Sequence, residues 1–143
     1  MTPGDKLELH LPSRLGAEKA AMEFAATVAR SMNFPPERVE DLKTAVAEAC
    51  INAIEHGNKL HASTRVGVKL TVGEGRLQVA VHDQGKGLPA SPERPDLESR
   101  IEGRKDPRGW GIFLIENLMD EVSFESTAEG SVTRMIIYLD KTE

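Results

Sequence analysis

Cysteine is nearly absent. Cys50 is the only one in 143 residues, so the chain holds no internal disulfide and no CxxC pair for zinc. Aromatic residues make up 4%, with a single Trp and a single Tyr. There is no basic excess either: 18 Lys and Arg against 23 Asp and Glu leave a net charge of −5. An acidic balance with few aromatics argues against a nucleic-acid binder. No apolar run approaches the ~18 residues that span a bilayer. The opening segment holds Asp5 and lacks an apolar h-region, so no signal peptide is expected. The expectation is a cytoplasmic protein without a membrane partner. HExxH, the P-loop pattern and the three-glycine Rossmann spacing are all missing. His10, His56, His61 and His82 show no paired-ligand spacing, which leaves zinc without a site. What is present is 39% apolar and 29% charged residues, the balance of one globular domain over 1–143.

Periodicity orders the chain. Leu7, Leu9 and Leu11 alternate with polar residues and Pro12 stops them, which predicts a strand. Ser13 is placed to cap a helix running to about Asn33, with Leu15, Met22, Ala25, Val28, Ala29 and Met32 inward. Pro35-Pro36 opens a second helix with Val39, Leu42, Val46, Ala49 and Ala53 as its core stripe, ended by Gly57-Asn58. Cys50 sits in that helix as a small core residue. Val66 to Val72 and Leu77 to Val81 alternate around Gly73-Glu74-Gly75, the pattern of a hairpin. The segment 84–108, with four prolines and many charges, reads as a long loop or lid. Ile112, Ile115, Leu118 and Met119 mark a third helix, and two strands around Ala128-Glu129-Gly130 close the chain. The expected fold is α+β: a two-layer sandwich, its sheet mixed but mainly antiparallel, with helices on one face.

Three short segments carry chemistry. Glu48, Asn52, Glu55 and His56 fall on one polar stripe of the second helix. A charged stripe alone is ordinary solvated surface, but Asn in mid-helix is unfavourable unless its amide has work to do. Its oxygen is a hard ligand suited to Mg²⁺, which takes few protein ligands alongside substrate phosphates. A carboxylate one turn earlier is placed to accept a proton. Asp83-Gln84-Gly85-Lys86-Gly87 follows a strand and sets a carboxylate beside close-approaching backbone, where it can take a hydrogen bond from an exocyclic amine. Read alone it is a turn. Arg108-Gly109-Trp110-Gly111 opens the third helix, whose free amides and dipole suit phosphate.

In order and spacing these segments resemble the GHKL (Bergerat-fold) ATPase superfamily. Glu48 to Gly57 resembles its N box, Asp83 to Gly87 its G1 box and Arg108 to Gly111 its G2 box. Gly130-Ser131 resembles its later Gly-Thr element with Ser for Thr. The phrases Glu-Ala-x-x-Asn-Ala-Ile-Glu-His-Gly and Asn-Leu-Met-Asp-Glu-Val (Asn117 to Val122) bring the chain nearest the anti-sigma factor serine-protein kinases, over residues 7–140. The resemblance implies ATP and Mg²⁺ as cofactors, with Asn52 as metal ligand and Glu48 as catalytic base. It implies that Asp83 reads adenine, that Gly85 and Gly87 shape the pocket, and that Arg108, Gly109, Trp110 and Gly111 close over the phosphates. His56 and Ser131 are implied at the nucleotide. It further implies a homodimer, a bound sigma factor, and a serine-bearing anti-anti-sigma antagonist as phosphoryl acceptor. The alternative is an ATP-dependent partner-binding switch with weak or no kinase activity. A two-component histidine kinase is disfavoured, because the chain opens on the domain's first strand without a phosphoacceptor hairpin.

Overall fold

The computed structural model describes residues 1–85 and 107–139, with the backbone alone at 107 and 108. In chain order the elements are β1 (Lys6–Pro12), α1 (Glu18–Ser31), α2 (Pro36–Asn52), a π-helical turn (Ala53–Gly57), β2 (Arg65–Gly73), β3 (Arg76–His82), α3 (Pro107–Leu118), β4 (Glu121–Thr127) and β5 (Gly130–Tyr138). The strands form one sheet in the order β1-β2-β3-β5-β4. Every pairing is antiparallel, so the sheet is not mixed.

Alternation puts one face of the sheet in the core. Val66, Val68, Leu70 and Val72 are buried from β2, and Leu77, Val79 and Val81 from β3, opposite Met135 and Ile137 of β5. The helices cover this face. Val39, Leu42, Val46 and Ala49 of α2 and Ala53 beyond it are all buried, as their spacing predicts, and so is Cys50. Small residues (Ala21, Ala25, Ala26, Ala29) let α1 lie close to α2. Extended Pro35 and Pro36 at the first turn start α2.

Two local expectations fail. Ser13 caps nothing: α1 begins at Glu18 without a side-chain cap, and Ser13 Oγ bonds instead to Thr64 Oγ1 at 2.8 Å. Leu15 precedes the helix and is half exposed. The second helix also does not run unbroken to Gly57. It widens after Asn52 into the π-helical turn, closed by the Asn58 amide donating to the Ala53 carbonyl at 2.8 Å.

The Asn117 to Val122 phrase has a structural job. Asp120 is nearly buried, and its Oδ2 accepts from Arg38 at 3.0 Å and from the Tyr138 amide at 2.7 Å. Arg38 also donates to Asp41 at 2.8 Å and to the Leu118 carbonyl at 3.3 Å. One guanidinium thus ties the start of α2 to the end of α3, while Asp120 carries the tie on to β5. This holds α2 and α3 side by side, and the candidate site lies between them.

Candidate nucleotide site

The first half of the site forms where α2 meets the opening turns of α3. Glu48 and Asn52 lie one turn apart on α2, both half-buried. Gly111 comes down on them. A Cβ there would stand 2.7 Å from Glu48 Oε1 and 3.4 Å from Asn52 Nδ2, so a side chain at 111 would push the Glu48 carboxylate aside. Among the described residues, neither the Glu48 carboxylate nor the Asn52 amide makes a hydrogen bond. The half-buried Asn52 amide oxygen, without a partner among the described residues, is a hard donor that fits a cation such as Mg²⁺, and the Glu48 carboxylate stands one turn away as a proton acceptor. Burial pushes the Glu48 carboxyl above its ordinary value, and the nearby Glu55 charge adds to the shift.

Gly109, Trp110 and Gly111 lie within the first turns of α3 rather than ahead of it, because the helix begins at Pro107. Pro107 has no amide proton to leave unpaired, and the next amides carry the positive end of the helix dipole. Trp110 is 43% exposed and its ring packs on Phe113 at 5.4 Å. Gly87, the side chain of Arg108 and most of the expected lid (84–108) lie outside the described residues.

The second half is built around Asp83, at the end of β3. Its Oδ1 accepts two backbone amides, from Gly85 at 3.1 Å and Ser131 at 3.2 Å. The Asp83 amide returns to the Ser131 carbonyl at 3.0 Å. Ser131 therefore meets Asp83 through its backbone. Gly130 makes this possible: its φ is +143°, and a Cβ there would overlap the Asp83 carbonyl. Oδ2 faces Gly57, where any Cβ would collide with the carboxylate. Among the described residues Oδ2 accepts no hydrogen bond.

Burial pushes the Asp83 carboxyl up to about 6, against the opposing pull of its two amide bonds. An acid raised in the native state holds an extra proton there between its ordinary 3.8 and about 6. The group's contribution to stability therefore falls as pH rises through that window, and ionised Asp83 is a cost above it. A hydrogen-bond donor at Oδ2 offsets that cost.

The structure thus joins Glu48, Asn52 and Gly111 in one cluster and Asp83, Gly85 and Ser131 in another. His56 contacts the Glu55 carboxylate at 3.8 Å, and both lie in the π-helical turn that follows α2. Sequence reasoning gave Gly130 a turn and a place in the Gly-Thr-like element but no contact with Asp83, and treated Asn58 only as a helix stop. A Gly-Asn pair directly after a polar helical stripe was the available signal.

A family model described as the histidine kinase-like ATPase domain matches residues 11–137. Serine-protein kinase RsbW of Bacillus velezensis is 33% identical over 143 residues, spanning 97% of this chain and 89% of that protein. The protein of the same name from Bacillus subtilis is 31% identical over 140 residues, 95% of this chain and 87% of its own. An anti-sigma F factor of a Thermoanaerobacter species is 31% identical over 138 residues, 93% of each. The solved RsbU and RsbW domains of Rv1364c from Mycobacterium tuberculosis match 96% of this chain and 32% of that one, with a TM-score of 0.64. At 16% identity that likeness is one of fold. With the family model covering nearly the whole length and curated relatives above 30% identity end to end, the chain belongs to the histidine kinase-like ATPase family.

Proposed function

We propose that this chain is a cytoplasmic anti-sigma factor serine-protein kinase, moving the γ-phosphoryl group of ATP to a serine of an anti-anti-sigma partner and sequestering a sigma factor. The observation that carries the proposal is the meeting of Glu48 and Asn52 under Gly111. Relatives named serine-protein kinase and anti-sigma factor support a protein serine as substrate and a sigma factor as partner, and the anti-anti-sigma acceptor rests on the family resemblance. A homodimer is proposed on the family resemblance alone.

Asn52 would hold Mg²⁺, which when bound neutralises charge on the phosphates. Glu48 accepts the proton of the incoming serine hydroxyl. Burial raises its pKa, which increases the carboxylate's affinity for that proton. The serine oxygen forms a bond to the γ-phosphorus as the bond to the bridging oxygen breaks, and ADP leaves. The amides of the first turn of α3 are placed to stabilise the charge that spreads over the transferred group, and Arg108 is assigned the same role on the family resemblance. Asp83 Oδ2 takes the adenine amine, while Gly85 and Gly87 keep the base pocket open. His56 and Ser131 border the nucleotide.

The direct test is γ-labelled ATP with magnesium and a serine-bearing anti-anti-sigma protein, with its Ser→Ala form as blank. Label should appear on the serine protein alone. ATP bound but never transferred would replace the kinase with a nucleotide-gated switch.

Asp83 also sets a pH dependence. With its pKa at about 6, only about a tenth of it is ionised one unit lower. Nucleotide affinity should therefore rise about tenfold between pH 5 and pH 7. Asp83→Asn should lose that rise, and the titration of the nucleotide's own phosphates cancels in the comparison. Equal slopes for both proteins would remove Asp83 from the base pocket.

A further inference from the structure

The tightest polar cluster near the site belongs to a residue outside the motifs. Asn58 is 2% exposed, and both its Nδ2 and its Oδ1 are hydrogen-bonded. Nδ2 donates to Ser13 Oγ at 2.9 Å and to the Arg65 carbonyl at 3.0 Å. Oδ1 accepts from the Gln84 amide at 2.7 Å. The partners fix the amide's orientation: a carbonyl needs the NH₂ side and an amide N–H needs the oxygen. Ser13 passes the chain on to Thr64, whose hydroxyl donates to the His61 carbonyl at 2.6 Å. The Gln84 side chain in turn accepts from the Arg65 amide.

This cluster sits where two backbones cross. A Cβ on Gly85 would overlap the Gly57 carbonyl, and one on Gly57 would overlap the Asp83 carboxylate. The Gly57-Asn58 backbone therefore passes in contact with the Asp83-to-Gly85 turn. The Asn58–Gln84 bond is a tie at that crossing, placed between the two residues that shape the Asp83 carboxylate's surroundings. We infer that Asn58 is a positioning residue for purine recognition, fixing the Gln84 amide so that the turn aims Asp83 Oδ2 at the base. Among the described residues Asn58 makes no hydrogen bond to Asp83, and the inference rests on reading Asp83 as the adenine acceptor.

The test is the ratio of Mg-ATP to Mg-GTP affinity, because guanine presents a carbonyl where adenine presents an amine. Asn58→Leu should cut that ratio about tenfold or more, with GTP affinity changed less than about threefold. Ser13→Ala removes a bond from the same cluster but leaves the Gln84 tie. It should lower the thermal midpoint and keep the ratio. Asn58→Asp serves if the leucine variant does not fold: it retains the oxygen facing Gln84, loses the donors to Arg65 and Ser13, and should keep the ratio despite lower stability. An unchanged ratio in Asn58→Leu overturns the inference, as does an equal loss in Ser13→Ala or Asn58→Asp. A wild-type protein that binds both nucleotides equally sinks the reading of Asp83 itself, a different result from either.

Discussion

Replacing Glu48 with Gln should slow phosphoryl transfer about 10²–10⁴-fold, the range for loss of a positioned general base. Nucleotide affinity should stay within about threefold. The geometry sets this split. Glu48 makes no hydrogen bond among the described residues, so Gln leaves no partner stranded. The Gln amide also fills nearly the same volume under Gly111, so the cradle remains. Desolvation raises the Glu48 pKa, which raises the carboxylate's proton affinity, and Gln has none. Single-turnover transfer from labelled ATP, alongside equilibrium ATP binding, separates the two effects. Transfer within about threefold of wild type would remove Glu48 as the base.

The second large effect is on folding. Asp120→Ala should destabilise the protein by about 3 kcal/mol, the lower end for breaking a buried ion pair. Arg38 keeps Asp41, so its charge is not left wholly unpaired, but the Tyr138 amide loses its acceptor. Asp41→Ala should cost under about 1 kcal/mol, because that carboxylate is 34% exposed and hydrated without its partner. Urea unfolding checks both: Asp120→Ala lowers the midpoint strongly at unchanged slope, and Asp41→Ala barely moves it. Equal shifts would mean that the α2–α3 tie does not run through Asp120.

Local periodicity carried most of the fold. The inward faces of β2 and β3 follow from Val66 to Val72 and Leu77 to Val81, because alternation in a strand is alternation of faces. The α2 stripe is legible for the matching reason at helical spacing. The site residues were legible in part, because each motif holds an unusual residue where spacing alone predicts none. The amide of Asn52, without a hydrogen bond among the described residues, and the glycine at 111 are two such.

Long-range pairing was not legible. Ser13 looks like a helix cap, and nothing local reveals that Asn58, 45 residues on, takes its hydroxyl. Arg38 and Asp120 stand 82 apart, each resembling ordinary surface charge until α2 and α3 lie together. The π-helical turn escaped for a different reason. Ala53 to Gly57 fits an α-helix as well as a π one, and closure by the Asn58 amide on Ala53 decides between them.

Calorimetric titration of the folded wild-type chain with ATP, with and without magnesium, bears most directly on the pocket formed by Asn52, Glu48 and Asp83. The account predicts single-site binding that needs magnesium and that Asn52→Ala weakens at unchanged thermal stability. Heat that is absent, or the same with and without the metal, would contradict it.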